Sequence, residues 1–284
     1  MAPSDFPSDV GLAIPADLRD FVTRWGGPVT RAHEVTTARS LLHRGTLRVE
    51  FADGRVAKAR RFAGLDWAEQ MDRIHSVIGA VPWLTAPIHR EGRLLLEEWI
   101  EGDPLDLESP TGETARQAGA ILACLHRVPV PSDQAVAPNV AGELEQTLAR
   151  LADLSRWLTP VEIDELRRLA VATAPTNAAL GFIHVDFCGE NLVRHATRGL
   201  VCIDNETLRV GPFGLDVGRT LYRWSLSNEA RDAFVDGYVR AGGPAELEGS
   251  PFWTLVAEAW SAHLRNRDNF GDIEGPIRAL KRRL

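Results

Sequence analysis

Gly181-Phe182-Ile183-His184-Val185-Asp186-Phe187-Cys188-Gly189-Glu190-Asn191-Leu192-Val193, followed by Val201-Cys202-Ile203-Asp204-Asn205-Glu206, is the stretch on which the fold turns. It reads as an apolar strand, a short polar loop, a second strand, a turn at Thr197-Arg198-Gly199 and a returning strand that ends on an acid. A hairpin brings its chain ends together, so Asp186, Asn191 and Asp204 are expected to converge on one small site.

Those residue types suit phosphoryl transfer. A carboxylate such as Asp186 can orient a hydroxyl and accept its proton, while the carboxamide oxygen of Asn191 and the carboxylate of Asp204 suit a hard cation such as Mg²⁺. The sequence contains no GxGxxG, GxSxG or HExxH, the parts that dehydrogenase, esterase or zinc-protease chemistry needs. Taken singly, Asp186 and Asn191 are ordinary loop residues that make local turn bonds. The weight lies in the spacing His-x-Asp-x₄-Asn, followed by an apolar strand into Ile203-Asp204.

His184-Val185-Asp186 with Asn191, then Ile203-Asp204-Asn205-Glu206, resembles the catalytic and metal-binding segments of the aminoglycoside phosphotransferase-like kinases. That superfamily shares the protein-kinase fold and includes choline, homoserine and fructosamine kinases. The middle residue of the first triplet is usually Gly in these enzymes and Arg in protein kinases; here it is Val185, which reads as a branch difference. The resemblance implies an α+β, bilobal protein-kinase-like fold with a small antiparallel-sheet N-lobe (1–97), a hinge (98–102) and a larger, mainly helical C-lobe (103–284).

The bulk numbers agree. At 284 residues, with 44% hydrophobic and 25% charged residues, the chain can bury a large core in one domain or two lobes. A net charge of −7 argues against nucleic acid as a main partner. Cys124, Cys188 and Cys202 show no CxxC spacing and suit a reducing compartment, and the first residues lack a signal-peptide pattern, so a cytoplasmic protein without a membrane partner is expected. Of the 32 basic residues only Lys58 and Lys281 are lysines, a bias typical of GC-rich coding. Where lysine is that scarce, one inside a strand draws attention, since lysine offers a compact point charge that arginine does not.

Along the chain, residues 15–25 carry Leu18, Phe21, Val22 and Trp25 at helical spacing. Strands are expected over His33–Thr37, Leu41–Phe51 and Arg55–Arg61, the last two joined by the Asp53-Gly54 turn. Val56-Ala57-Lys58 resembles the strand lysine of kinases that steadies nucleotide phosphates. A helix over 66–78 follows, with Asp66 as its expected N-cap. By the resemblance Glu69, eleven residues after Lys58, pairs with that lysine, with Asp72 one turn later as the alternative. The turn Thr37-Ala38-Arg39-Ser40 is poor in glycine; its amides or the Ser40 hydroxyl could cap a phosphate. Glu98 to Leu105 resembles the interlobe hinge, with Glu98 and Ile100 offering backbone groups to an adenine edge. Beyond it, helices are expected over 111–127, 141–157, from the capping box Thr159-Pro160-Val161-Glu162, and over 215–226, 229–241 and 251–267. His126 is expected to pack, and Asp216, of Asp216-x-Gly218-Arg219, to brace the catalytic loop without touching substrate.

The implied reaction moves the γ-phosphoryl group of ATP, with Mg²⁺, to a hydroxyl of a small molecule. Only twelve residues separate Asp204 from Asp216, which leaves little room for a peptide-docking platform, so no protein substrate is expected. Glu206, Glu229, Asp232, Asp268 and Asp272 could serve a cationic acceptor of aminoglycoside or amino-sugar type, with Glu206 the first choice. A kinase for a sugar, a choline-like alcohol or homoserine is the main alternative. A kinase-fold nucleotidyltransferase and a non-catalytic nucleotide-binding protein are the others.

Overall fold

A computed structural model describes residues 15–35, 46–62, 64–105, 110–132, 139–247, 249–268 and 271–284. The chain divides into two compact units, Met1–Asp103 with Val193–Glu206, and Pro104–Leu192 with Thr207–Leu284. The segment 193–206, expected with the second lobe, therefore belongs to the first unit.

In the first unit, helix α1 (Ala16–Gly26) covers one face of an antiparallel sheet. The sheet holds β1 (Val29–Glu34), β2 (Thr46–Phe51), β3 (Val56–Arg61), β4 (Pro87–Glu91) and β5 (Leu94–Glu98) in the order β1-β2-β3-β5-β4. Side chains alternate across a strand, so Leu47, Val49 and Phe51 of β2 and Ala57 and Ala59 of β3 point at Leu18, Phe21 and Val22 of α1. Helix α2 (Leu65–Ile78) buries Ala68, Met71, Ile74 and Ile78. Its N-cap is Gly64; Asp66, expected there, lies inside the first turn, where its charge faces the helix dipole. β1 starts at Val29, ahead of the expected His33, because Val29 and Ala32 supply buried side chains. β4 was not expected: Pro87 and exposed Ile88 break the alternation that would announce a strand. Residues 36–45, including Ser40, lie outside the described residues.

The segment 193–206 joins this unit through main-chain bonds. Strand β6 (Asp103–Pro104) is followed in sequence by helices α3 (Gly112–His126), α4 (Val140–Ala152) and α5 (Pro160–Thr173), then β7 (Leu180–Ile183), β8 (Leu192–His195) and β9 (Gly199–Cys202). Cys202, at the end of β9, donates its N–H to Trp83 O (2.8 Å) and accepts from Thr85 N–H (3.1 Å). Arg198, in the turn before β9, donates to Pro82 O, Leu84 O and both oxygens of Glu98.

The second unit is helical around a two-stranded ladder of β7 and β10 (Arg209–Pro212). It is completed by α6 (Phe213–Arg223), α7 (Asn228–Arg240), α8 (Ser250–Asp268) and α9 (Glu274–Lys281). The Thr159–Glu162 capping box forms as expected and starts α5, with Pro160 at its first position. Helix α4 stops at Ala152, short of the expected Trp157, whose indole N–H instead reaches Asn266 at 3.0 Å. Helices α3 and α7 meet at two glycines. A Cβ on Gly119 would stand 2.0 Å from Phe234 O, and one on Gly237 2.0 Å from Arg116 O. Among the described residues no helix is long and apolar enough to cross a membrane.

Candidate active site

Each unit carries one group of chemistry-bearing side chains. In the first unit the pleat of β3 decides the arrangement. With Ala57 and Ala59 turned into the core, Lys58 and Arg60 share the opposite face. Lys58 Nζ lies 3.0 Å from Asp204 Oδ1, and Arg60 Nη2 lies 2.6 Å from the same oxygen. Arg60 also reaches Glu206 Oε2 (2.5 Å) through Nη1 and Glu97 Oε2 (3.2 Å) through Nε. Arg60 and Glu97 have side chains only 4% and 3% exposed, and a charge buried so deeply needs such answering partners.

Burial pushes Asp204 toward its protonated form, but Lys58 and Arg60 override it and hold the carboxyl far below the usual carboxylate range. Burial likewise works against the Arg60 charge, and Glu97, Asp204 and Glu206 more than restore it. Two cations face three carboxylates here, leaving one negative charge. Asp204 also adopts the left-handed backbone region, φ 59°, which a short polar side chain tolerates.

The expected partners of Lys58 are placed otherwise. Its ion pair is with Asp204, not Glu69, which sits half-buried on α2, and the alternative, Asp72, pairs with Arg90 at 3.0 Å. Glu206, expected to await a substrate, is engaged by Arg60. Glu98 spends its carboxylate on Arg198 and on the Ala86 N–H (2.9 Å), and its own N–H donates to Ala86 O. Ile100 is buried with Val193, Val201 and Ile203 in a small apolar cluster.

In the second unit Asp216 is fully buried at the start of α6 and organises the loop after β7. Its two oxygens accept the N–H groups of His184 and Val185, each at 2.7 Å. The Val185 carbonyl accepts from Arg219 Nε, also at 2.7 Å. His126 Nε2 donates to Asp216 (3.1 Å), which leaves Nδ1 to accept the Tyr238 hydroxyl proton (2.8 Å). Burial would raise the Asp216 pKa; the His126 hydrogen bond, with the His184 N–H, holds it below the ordinary value. This clamp holds Val185 at φ 69°, a region where a β-branched residue is strained.

The clamp presents Asp186. Arg223 pairs with its Oδ1, Arg219 Nη2 lies 3.7 Å from the same atom, and Asn191 Nδ2 donates to its carbonyl (2.8 Å) and to Oδ2 (3.2 Å). Because Asn191 spends its N–H groups on Asp186, its amide oxygen is left as a donor atom for a cation. The Asp204 Oδ2 oxygen likewise makes no hydrogen bond among the described residues, and oxygens of these two kinds each suit a hard cation such as Mg²⁺. No group of three or more His, Cys, Asp or Glu among the described residues is arranged to hold a metal by itself. Sequence reasoning missed Arg60 and Arg223. Arg223 had a signal, lying one helical turn beyond Arg219; Arg60 had only its period-2 relation to Lys58.

The profile of the phosphotransferase enzyme family (APH) matches residues 83–253. No curated protein sequence matches. Among solved structures, the chain is similar to a choline kinase from Streptococcus pneumoniae (11% identity, 94% of this chain and 96% of that one, TM-score 0.73). It is similar too to a macrolide 2′-phosphotransferase from Brachybacterium faecium (16%, 94% and 97%, TM-score 0.67). A third is an ethanolamine kinase from Plasmodium vivax (12%, 82% and 76%, TM-score 0.60). At these identities the likeness is one of fold.

Proposed function

The chain belongs to the phosphotransferase enzyme family, and from that premise we propose that it transfers the γ-phosphoryl group of ATP to a hydroxyl of a small molecule. The observation that carries the proposal is the clamped loop. Three buried hydrogen bonds hold a strained Val185 so that Asp186 is presented beside Asn191.

In this reading Asp186 orients the acceptor hydroxyl and takes its proton as the oxygen attacks the γ-phosphorus. The bond from that phosphorus to the β-bridging oxygen breaks, and ADP leaves with the electron pair. Lys58 steadies the nucleotide phosphates, and Ile100 with Val193, Val201 and Ile203 offers an apolar bed for the base. Asn191 and Asp204 would hold Mg²⁺, which when bound neutralises phosphate charge. Arg60 keeps Asp204 ionised and in place. Arg219 and Arg223 fix the Asp186 carboxylate and face developing negative charge on the transferred group.

A cationic acceptor finds little support in the acids expected to bind it. Glu206 answers Arg60, Asp268 answers Arg267, and Asp272 caps the N–H groups of Glu274 and Gly275. ADP release from ATP and Mg²⁺ across a panel of hydroxylated acceptors tests the proposal. Acceptor-dependent release should fall by about 10²–10⁴ in Asp186→Asn. Wild-type turnover in that variant, or pyrophosphate in place of ADP, would overturn it.

A further inference from the structure

Three elements of the second unit converge on the indole of a fourth, Trp260 of α8. Arg219 of α6 places its guanidinium carbon 4.2 Å from the centre of the Trp260 ring, Arg150 of α4 lies at 4.6 Å, and Arg209 of β10 at 5.8 Å. Arg219 touches both this cluster and Asp186. Like charges so close repel, and each needs an answering anion. Arg219 and Arg223 have Asp186 and Glu190. Among the described residues Arg150 and Arg209 share one carboxylate, Glu143, which reaches Arg209 only at 3.7 Å.

The remaining valences are open. Arg150 Nη2 is held by Gln146 at 2.8 Å, while Arg150 Nη1 and Glu143 Oε2 are buried with no hydrogen-bond partner among the described residues. Burial lowers the Arg150 pKa; Glu143 opposes this, and Arg219 and Arg209 add to it. Beside them a cavity of about 180 Å³ is lined by Asn139, Glu143, Leu180, Arg209, Gly211 and Pro212. That is smaller than the range for whole ligands, and suits one compact group of a larger molecule.

We propose that the acceptor is an anionic hydroxy compound whose carboxylate or phosphate ester is received by Arg150 and Arg209 against the Trp260 ring. This rests on the phosphotransfer reading and names its substrate class. Planar guanidiniums present paired donors that match either anion, and their stacking on Trp260 fixes the forks before the ligand arrives. Glu143 then repels such a ligand as well as tethering Arg209, so its loss and the loss of an arginine should act in opposite directions.

The test compares kcat and KM for ADP release with charge-matched acceptors: uronic and aldonic acids, sugar phosphates, the parent neutral sugars, and amino sugars. Carboxylate and phosphate arms distinguish the two anions. The proposal expects an anionic acceptor to exceed its neutral parent in kcat/KM by about tenfold or more, the worth of one charge-assisted contact. Arg209→Gln and Arg150→Gln should raise its KM about tenfold or more while sparing the neutral parent, and Glu143→Gln should lower it. Thermal melts confirm that each variant is folded. Amino sugars as the better acceptors, or variants that move charged and neutral acceptors alike, would overturn it and leave the phosphotransfer reading intact. Release with no acceptor in any arm would instead count against that reading. Heteronuclear NMR titration of the wild type with inorganic phosphate and with gluconate gives a readout independent of turnover. Shifts at the Arg150 and Arg209 side chains are expected, and their absence would also overturn the anion site.

Discussion

Val185 shows how a single backbone angle is held for a purpose. A left-handed backbone costs an L-residue roughly 1–2 kcal/mol, yet Val185 also packs among Ile183, Leu215, Phe252 and Val256. Val256 belongs to the same cluster but lies in helix α8, where glycine is unwelcome. Val185→Gly should therefore be milder than Val256→Gly by about 2 kcal/mol in denaturant unfolding, since one substitution relieves strain and the other adds helix cost. Equal losses would mean that the angle carries no strain. Legibility in the sequence differed between neighbouring residues for a physical reason. Lys58 stood out because lysine is nearly absent, whereas Arg60, two residues on and equally part of the Asp204 cluster, was hidden among thirty arginines. The Lys58–Glu69 pair was expected from the resemblance, which located the acid by its separation from the lysine along the chain. The structure pairs Lys58 with a residue far away in sequence, and spacing cannot register that.

At the scale of elements, the joint between α3 and α7 depends on the absence of two side chains. A methyl group at Gly119 would run into the Phe234 carbonyl, a main-chain atom that cannot rotate away. Gly119→Ala is expected to destabilise the second unit by about 2–3 kcal/mol through overpacking. Gly112→Ala, in the same helix but with only Ala233 Cβ at 3.7 Å, should be neutral or stabilise by up to about 1 kcal/mol. Thermal or urea unfolding of the two variants checks the opposite signs. Elements with local signals were legible: the Asp53-Gly54 turn between β2 and β3, and the Thr159–Glu162 box that starts α5. Helix α9 was not, because Gly275 and Pro276 lie in its first turn and read as breakers. The arginine cluster on Trp260 was also invisible, being assembled from α4, β10, α6 and α8, none of which carries a motif for it.

For the whole molecule, the resemblance carried by His184–Asn191 and Ile203–Glu206 made the fold class legible, but not the interleaving of the two units along the chain. Residues 193–206 were expected with the helical part, whose bounds the resemblance set at 103–284. Their main-chain bonds to Trp83 and Thr85 and the Arg198–Glu98 pair are long-range, and put them with the sheet. A fragment ending at residue 103 thus lacks Asp204 and Glu206, two of the three carboxylates around buried Arg60. It should show no cooperative melt by circular dichroism, and tethering 193–206 to its end should restore one; a cooperative melt of the bare fragment near the full chain's temperature would refute this. The same interleaving sets an order on synthesis. Residues 1–103 leave the ribosome 89 residues ahead of the segment that completes them, an interval on the order of ten seconds at ordinary elongation rates. Throughout it the nascent sheet carries an under-neutralised arginine and an uncovered Ile100. A stop codon anywhere in that interval would release an unfinished polypeptide for chaperones and proteases, not a freestanding folded unit.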